Sequence, residues 1–333
     1  FFGNAQNNNS EWYDDKGDFT SADPVTVTDG SDTPSIDAVL AQGGTISGRV
    51  TNAAAEGIAG ICVLVYDLDY NYQAYADTDA KGNYSANGLP TGSYKVHFNN
   101  SGLNYVQEWY DDKVDFWAAD PVTVAAGGET QNINAVLAPG GSISGRVTDM
   151  SAVGIADLQV SVSSSDCWYY AYTDVNGDYT VAGMPSGSYY VKFWPNSESG
   201  QNYAYEWYDN KISSGLADPV TVTLGSDTPN IDAQLADGGV IQGRVTNSAN
   251  AGLYDVFVLI YEPGGGLAFW NYTGSGGYYT VGNLPAGDYK INFYDWPGEY
   301  IPEWYNDKAN FAAADLVAVT AGATTTDINA QLA

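Results

Sequence analysis

Between Asp157 and Ser163 apolar and polar residues alternate strictly, with Leu158, Val160 and Val162 on one side and Gln159, Ser161 and Ser163 on the other. That period of two is the mark of a half-buried strand. Ser142–Val147 reads as a short strand before it, and Tyr189, Val191 and Phe193 alternate with Tyr190 and Lys192 after it. The turn Val175-Asn-Gly177, flanked by Ala171–Asp174 and Asp178–Ala182, predicts a hairpin. Met184–Tyr189, with its Pro and Gly, predicts a second turn. A Glu-Trp-Tyr strand, Asp218–Val222 and Asn230–Leu235 follow. Seven or eight short strands with turn signals at roughly 8–12-residue spacing, and no helical periodicity, predict an all-β chain built as an antiparallel β-sandwich.

The pattern recurs. Glu-Trp-Tyr-Asp/Asn-Asp/Asn-Lys occurs at Glu11–Lys16, Glu108–Lys113, Glu206–Lys211 and Glu303–Lys308, a spacing of 97 or 98 residues, the size of one small domain. The expected division is residues 1–42, the last strands of an incomplete repeat, then complete repeats at 43–139, 140–237 and 238–333. Phe1 aligns with Phe98 and Phe293, so the sequence reads as a window on a longer array. The junctions are only a few residues long, ending in Gly44, Gly141 and Gly239, which predicts limited bending between repeats.

Composition changes the functional picture more than the fold. With 40 acidic residues against 11 Lys and Arg the formal charge is −29, which argues against nucleic acid or an anionic membrane surface as partner. No apolar run approaches the roughly 18 residues of a membrane span. An Asp-rich, Lys-poor surface suits an extracellular, cation-rich setting. Cys62 and Cys167 stand at non-equivalent positions and read as ordinary small residues, not as a disulfide or metal framework.

The run Gly-x-Ile-Ser/Gln-Gly-Arg-Val is followed by Thr78-Asp-Ala-Lys-Gly-Asn-Tyr84 and Leu89-Pro-Thr-Gly-Ser-Tyr94. The second repeat has Thr173–Tyr179 with Met184–Tyr189, and the third has Thr273–Tyr279 with Leu284–Tyr289. These motifs resemble the carboxypeptidase regulatory-like repeats, which belong with the CnaB-type and transthyretin-like sandwiches of secreted and surface proteins. The resemblance implies an Ig-like or prealbumin-like fold and no particular activity. Cross-linked CnaB-type domains carry a Lys in the first strand. Here Arg49, Arg146 and Arg244 are the only cations there, so no intradomain isopeptide bond is expected.

Ten of the eleven cations sit at or beside repeated positions, as structural pairing requires. Placing the Trp inward turns Glu108, Glu206 and Glu303 outward, which predicts the cross-strand pairs Arg49–Glu108, Arg146–Glu206 and Arg244–Glu303. The same parity places Trp109, Trp207 and Trp304 over the inward glycines Gly48, Gly145 and Gly243. Asp77, Asp79 and Asn83 read as an Asx-type turn. A structural Ca2+, if any, would go to Asp111, Asp112, Asp209 or Asp307; no other cofactor is called for. His97 is the only histidine, and no triad, metal cluster or phosphate-binding loop accompanies it, so no enzymatic activity is expected. Sequons stand at Asn8, Asn83, Asn99 and Asn271.

Cys62, Leu64 and Tyr66 in the first repeat, and Phe257, Leu259 and Tyr261 in the third, occupy the outward positions that are polar in the second. They are candidates for contact with neighbouring chains or for cover by their own loops. The expected function is that of an extracellular structural protein, a rod of sandwiches forming a surface stalk, fibre or filament by self-association. The alternative is an adhesin or carbohydrate-binding array, suggested by the many Tyr and Trp residues.

Overall fold

In the computed structural model, which describes residues 8, 11–17, 19–165, 167–196, 200–296 and 298–333, each complete repeat folds as two facing sheets. The alignment of Phe1 lies outside the described residues. The first repeat comprises β1 (Gly44–Thr51), β2 (Cys62–Tyr66), β3 (Tyr72–Asp77), β4 (Asn83–Leu89), β5 (Gly92–Asn99), β6 (Glu108–Trp109), β7 (Val122–Val124), β8 (Glu129–Thr130) and β9 (Ala135–Val136). One sheet has the order β4-β1-β8, with β9 also paired to β1. The other has the order β3-β2-β5-β6, with β7 also paired to β5. The second sheet is antiparallel throughout, whereas β1 runs parallel to β8 and β9.

Alternation places Ile46 and Val50 of β1 against Val63, Val65, Val96 and Phe98 of β2 and β5, and these form the buried core between the sheets. The second repeat (first strand Gly141–Asp149, last Ala233–Leu235) and the third (Gly239–Asn247 to Ala330–Leu332) have the same strand order. The described residues group into two compact units, one reaching Gly141 and including Ala182–Pro185, the other Ser142–Val181 with Ser186–Ala333.

The motif residues hold this frame. Thr78 Oγ1 accepts from Ile61 N (2.9 Å) and donates to Ile58 O (2.6 Å), and Thr173 and Thr273 do the same in their repeats. Such buried threonines satisfy backbone groups that would otherwise cost about 1–3 kcal/mol each. Tyr84, Tyr179 and Tyr279 donate their hydroxyls to Ile133 O, Ile231 O and Ile328 O at 2.6–2.7 Å. Gly48, Gly145 and Gly243 face inward as the parity requires, and a Cβ at each would overlap that same Ile carbonyl. The glycines therefore make room for the carbonyl and tyrosine. The expected tryptophan cover is corrected, because the atoms nearest each glycine are that carbonyl and then Tyr84, Asp232 or Tyr279, and not Trp109, Trp207 or Trp304.

Two further expectations change. Trp168–Tyr172 and Asp178–Met184 lie in different sheets, so the turn between them is a corner and not a hairpin. Its tip is drawn across by Val147 N, which donates to Gly177 O at 2.8 Å. The Asx reading of this turn holds: Asp79 Oδ1 accepts from Lys81 N and Asn83 N, and Asp174 Oδ1 from Asn176 N and Asp178 N, at 2.8–3.0 Å. In residues 1–42 the described part shows isolated bridges, Asn8 to Gln42 and Trp12 to Lys16, and no ladder. Strands β7, β8 and β9 elsewhere pair onto β5 and β1, and among the described residues of this segment there is no strand for them to pair with.

Candidate functional site

Register decides what the repeated hexapeptide presents. In the first repeat Trp109 stands opposite His97 and Glu108 opposite Phe98, a core residue. Directly paired residues point to the same side of a sheet. Glutamate therefore faces the inner side and tryptophan the outer one, the reverse of the expected parity. The same pairing sets Glu206 opposite Phe193 and Glu303 opposite Phe293. Burial, followed by the neighbouring aspartates, pushes the Glu108 and Glu206 carboxyls up to about 7, and Glu303 moves the same way.

The predicted Arg–Glu pairs do not form, because the partners sit on different sheets. Arg49 Nε donates to Lys81 O (2.8 Å), Arg146 Nε to Asn176 O (2.9 Å) and Arg244 Nε to Gly276 O (2.9 Å), each tying β1 or its counterpart to the corner turn. Arg146 also lies 3.9 Å from Asp178, and Arg244 lines an open cleft of about 550 Å³ with Asp307, Asp327 and Tyr278. The lysine that closes each hexapeptide pairs instead with an aspartate seven residues on: Lys16–Asp23, Lys113–Asp120, Lys211–Asp218 and Lys308–Asp315, at 3.0–3.4 Å. The sequence carried that signal, an Asp at the same offset from every copy. Lys113 Nζ also donates to Asp111 O (2.6 Å) and Lys211 Nζ to Asp209 O (3.0 Å), so an ammonium already sits beside the Asp111–Asp112 and Asp209 segments. Among the described residues no three His, Cys, Asp or Glu side chains are grouped to hold a metal. Cys62 and Cys167 are both unpaired.

On the outer face of the first repeat's second sheet the hexapeptide tryptophan is the centre of a plug. Trp109 stacks on His97 (4.5 Å) and meets Tyr66 (5.5 Å) and Phe116 (5.3 Å), while Tyr70 closes over Tyr66 and Phe116. Lys95 Nζ sits 4.4 Å above the Phe116 ring and donates to Phe116 O. Burial here pushes the His97 imidazole down to about 4. The third repeat copies the plug with Tyr261, Trp304, Phe311 and Lys290. Leu64, Tyr66, Phe257, Leu259 and Tyr261 are half-buried, Tyr66 and Tyr261 within these plugs and Phe257 against Tyr272 at 4.4 Å.

The second repeat has no such plug. Ser163 replaces Tyr66, Ser214 replaces Phe116 and Tyr190 replaces Lys95. Lys192 stands where His97 does, its ammonium 3.8 Å from the Trp194 ring, 4.5 Å from Tyr205 and 5.4 Å from Trp207. Burial pushes it down to about 8. On the edge strand beside this face Trp168, Tyr170 and Tyr172 are each more than half exposed.

Sequence reasoning missed the junction of the second and third repeats, which lie in one unit. Asn202 Oδ1 accepts from Asn283 N (2.8 Å), its Nδ2 donates to Gly238 O (2.7 Å), and its carbonyl accepts from Gly238 N (2.6 Å). Asn283 Nδ2 answers by donating to Gln201 O and Tyr203 O. Trp194 stacks on Phe269 at 5.2 Å with the rings 4° from parallel, and Tyr205 is buried in the third repeat's core.

The profile of the family described as Carboxypeptidase regulatory-like domain matches residues 45–138 and 142–236, more than half of the chain. Among curated proteins the chain is 23% identical over 308 residues to serine-aspartate repeat-containing protein F of Staphylococcus epidermidis, covering 82% of this chain and 18% of that protein. It is 23% identical over 287 residues to serine-aspartate repeat-containing protein D of Staphylococcus aureus, covering 73% and 20%. The chain thus spans about a fifth of the length of these relatives. Solved structures similar to it include a streptococcal ancillary pilin (13% identity, 86% of this chain and 99% of that one, TM-score 0.26) and the major pilin subunit of Bacillus cereus (11%, 87% and 99%, TM-score 0.22).

Proposed function

We propose that this chain, which belongs to the carboxypeptidase regulatory-like domain family, is an extracellular structural protein of the cell surface. Its tandem sandwiches extend as part of a stalk, fibre or filament. The observation that carries this reading is the junction at Asn202, where side-chain and backbone hydrogen bonds and the Trp194–Phe269 stack join one repeat to the next without a free linker. A stacked aromatic pair adds about 0.5–1.5 kcal/mol beyond its buried area, and the hydrogen bonds fix an angle that a flexible tether would leave open. The acidic coat keeps such a polymer soluble and makes its lateral association depend on cations. No helix among the described residues is long and apolar enough to cross a membrane. His97 is stacked on Trp109 at 4.5 Å, and burial holds its imidazole below the usual histidine range.

Small-angle X-ray scattering tests this. A single compact globule of 333 residues would have a radius of gyration near ~20 Å. A stiff array should give a markedly larger value and a rod-like cross-section, which Asn202→Ala with Trp194→Ala should loosen. A compact particle, or one unaffected by the double substitution, would count against it. A second reading, an adhesin or carbohydrate-binding array, has one observation in its favour: the uncovered rings of the second repeat.

A further inference from the structure

We propose that the outer face of the second repeat's five-stranded sheet is a binding site for a neutral glycan chain. The proposal deepens the second reading above and is independent of the stalk reading.

The strands Gln159–Ser163, Trp168–Tyr172 and Gly187–Trp194 lie side by side, and their register sets three rows across the face. The rows are Tyr172–Gln159–Trp194, Tyr170–Ser161–Lys192 and Trp168–Ser163–Tyr190. Trp168 and Tyr190, both exposed, flank Ser163 on its two sides, while at the other end of the floor Trp194 is held between Tyr205 and the third repeat's Phe269 and closes the trough there. With neighbouring strands about 4.8 Å apart, the floor is the width of a single narrow chain. Trp168 and Tyr170 stack at 4.8 Å and Tyr172 meets Tyr170 edge-on at 5.8 Å, so the outer wall is organised before any ligand arrives. Gln159 Nε2 donates to Ser161 Oγ at 3.2 Å, which leaves hydroxyl and amide capacity directed outward.

Three replacements act together to open this face. The first and third repeats fill it with Tyr66–Phe116–Lys95 and Tyr261–Phe311–Lys290, and the second puts Ser163, Ser214 and Tyr190 at those positions. A change at one position alone would leave a half-filled cavity. Changing all three exchanges an apolar plug for a lined trough.

Charge selects the occupant. The chain carries −29, yet Lys192 is the only charged residue in the three rows, and its ammonium is turned onto the rings of Trp194, Tyr205 and Trp207. An anionic polymer meets the repulsion of the whole molecule, and a second copy of this chain would bring −29 of its own. A neutral saccharide meets neither. Its C–H faces suit exposed Trp and Tyr rings, and its hydroxyls suit serine, tyrosine and glutamine.

The test is affinity electrophoresis and titration calorimetry of the full chain with a β-glucan, a xylan, a mannan and an α-glucan, and hyaluronate as an anionic control. Binding is expected to at least one neutral polysaccharide and not to hyaluronate. Trp168→Ala with Tyr170→Ala should weaken it about tenfold or more with an unchanged melting temperature. Ser163→Tyr with Ser214→Phe, which rebuilds the plug, should also abolish it. Binding that survives both double variants would overturn the site while leaving a glycan-binding array standing. No binding to any neutral polysaccharide would overturn both. Concentration-dependent dimerisation abolished by Trp168→Ala would show the face to be a contact between copies and would likewise overturn the proposal.

Discussion

The first and second repeats share a strand order, a core and a set of corner hydrogen bonds, and they part company on the outer side of one sheet. In the first, Trp109 is closed in by Tyr66, Tyr70, His97 and Phe116. In the second, Trp207 keeps a lysine for company and the surrounding rings give way to serines. The inner face of a sandwich is held by packing against its partner sheet and tolerates little change. The outer face is free to vary, and in this chain that is where the repeats have been given different chemistry.

The largest effects should come from what the two repeats share. Gly145→Val and Gly48→Val each push a side chain into an Ile carbonyl that already holds a tyrosine hydroxyl, so each repeat should lose about 3 kcal/mol or more. Denaturant melts should show equal losses, and a harmless substitution in either repeat would break the claim that the cores are equivalent. A middle-sized effect should separate them. Phe116→Ala removes a buried ring from the first plug and should cost about 2–4 kcal/mol, whereas Ser214→Ala at the same place in the second should change stability by less than about 0.5 kcal/mol.

A further effect is in pH dependence. Burial pushes Glu206 up to about 7 from an ordinary 4.5, so the folded state holds that proton more tightly than the unfolded chain. The second repeat should therefore lose stability as pH rises from about 4.5 to 7. In the first repeat Glu108 does the same, but His97, pushed down to about 4 from 6.5, binds its proton less tightly when folded and adds stability over pH 4 to 6.5. The two trends largely offset each other there. Melting at pH 5 and pH 7.5 should show Glu206→Gln flattening the decline with pH, and Glu108→Gln leaving an uncompensated rise. An unaltered pH profile in Glu206→Gln would place that carboxyl in solvent.

Much of the fold was legible because period-two alternation and turn chemistry are local. The strands around Val160 and Val191, the Asx turns at Asp79 and Asp174, and the inward direction of Gly145 all follow from neighbours in sequence. The candidate face was only half legible. The β6 segment is two residues long, too short for alternation to fix its absolute phase, and a shift of one residue exchanges Glu108 for Trp109. Only the pairing of β6 with β5 settles it. The arginines were misassigned for a related reason, since their partners are backbone carbonyls of a corner turn that no side-chain pattern announces. The plug was readable in principle, as Phe116 and Phe311 stand three residues after the repeated lysine, where the second repeat has Ser214.

The parallel pairing of β1 with β8 and β9 bears on mechanics. The chain enters a repeat along its first strand and leaves it along its last, and these two lie side by side pointing the same way. Tension along the array would pull the neighbours in opposite directions, loading their hydrogen bonds in shear and all at once. Peeling them one by one, as at the end of a hairpin, would need a different strand order. A repeat so wired resists stretching at the point where force enters it.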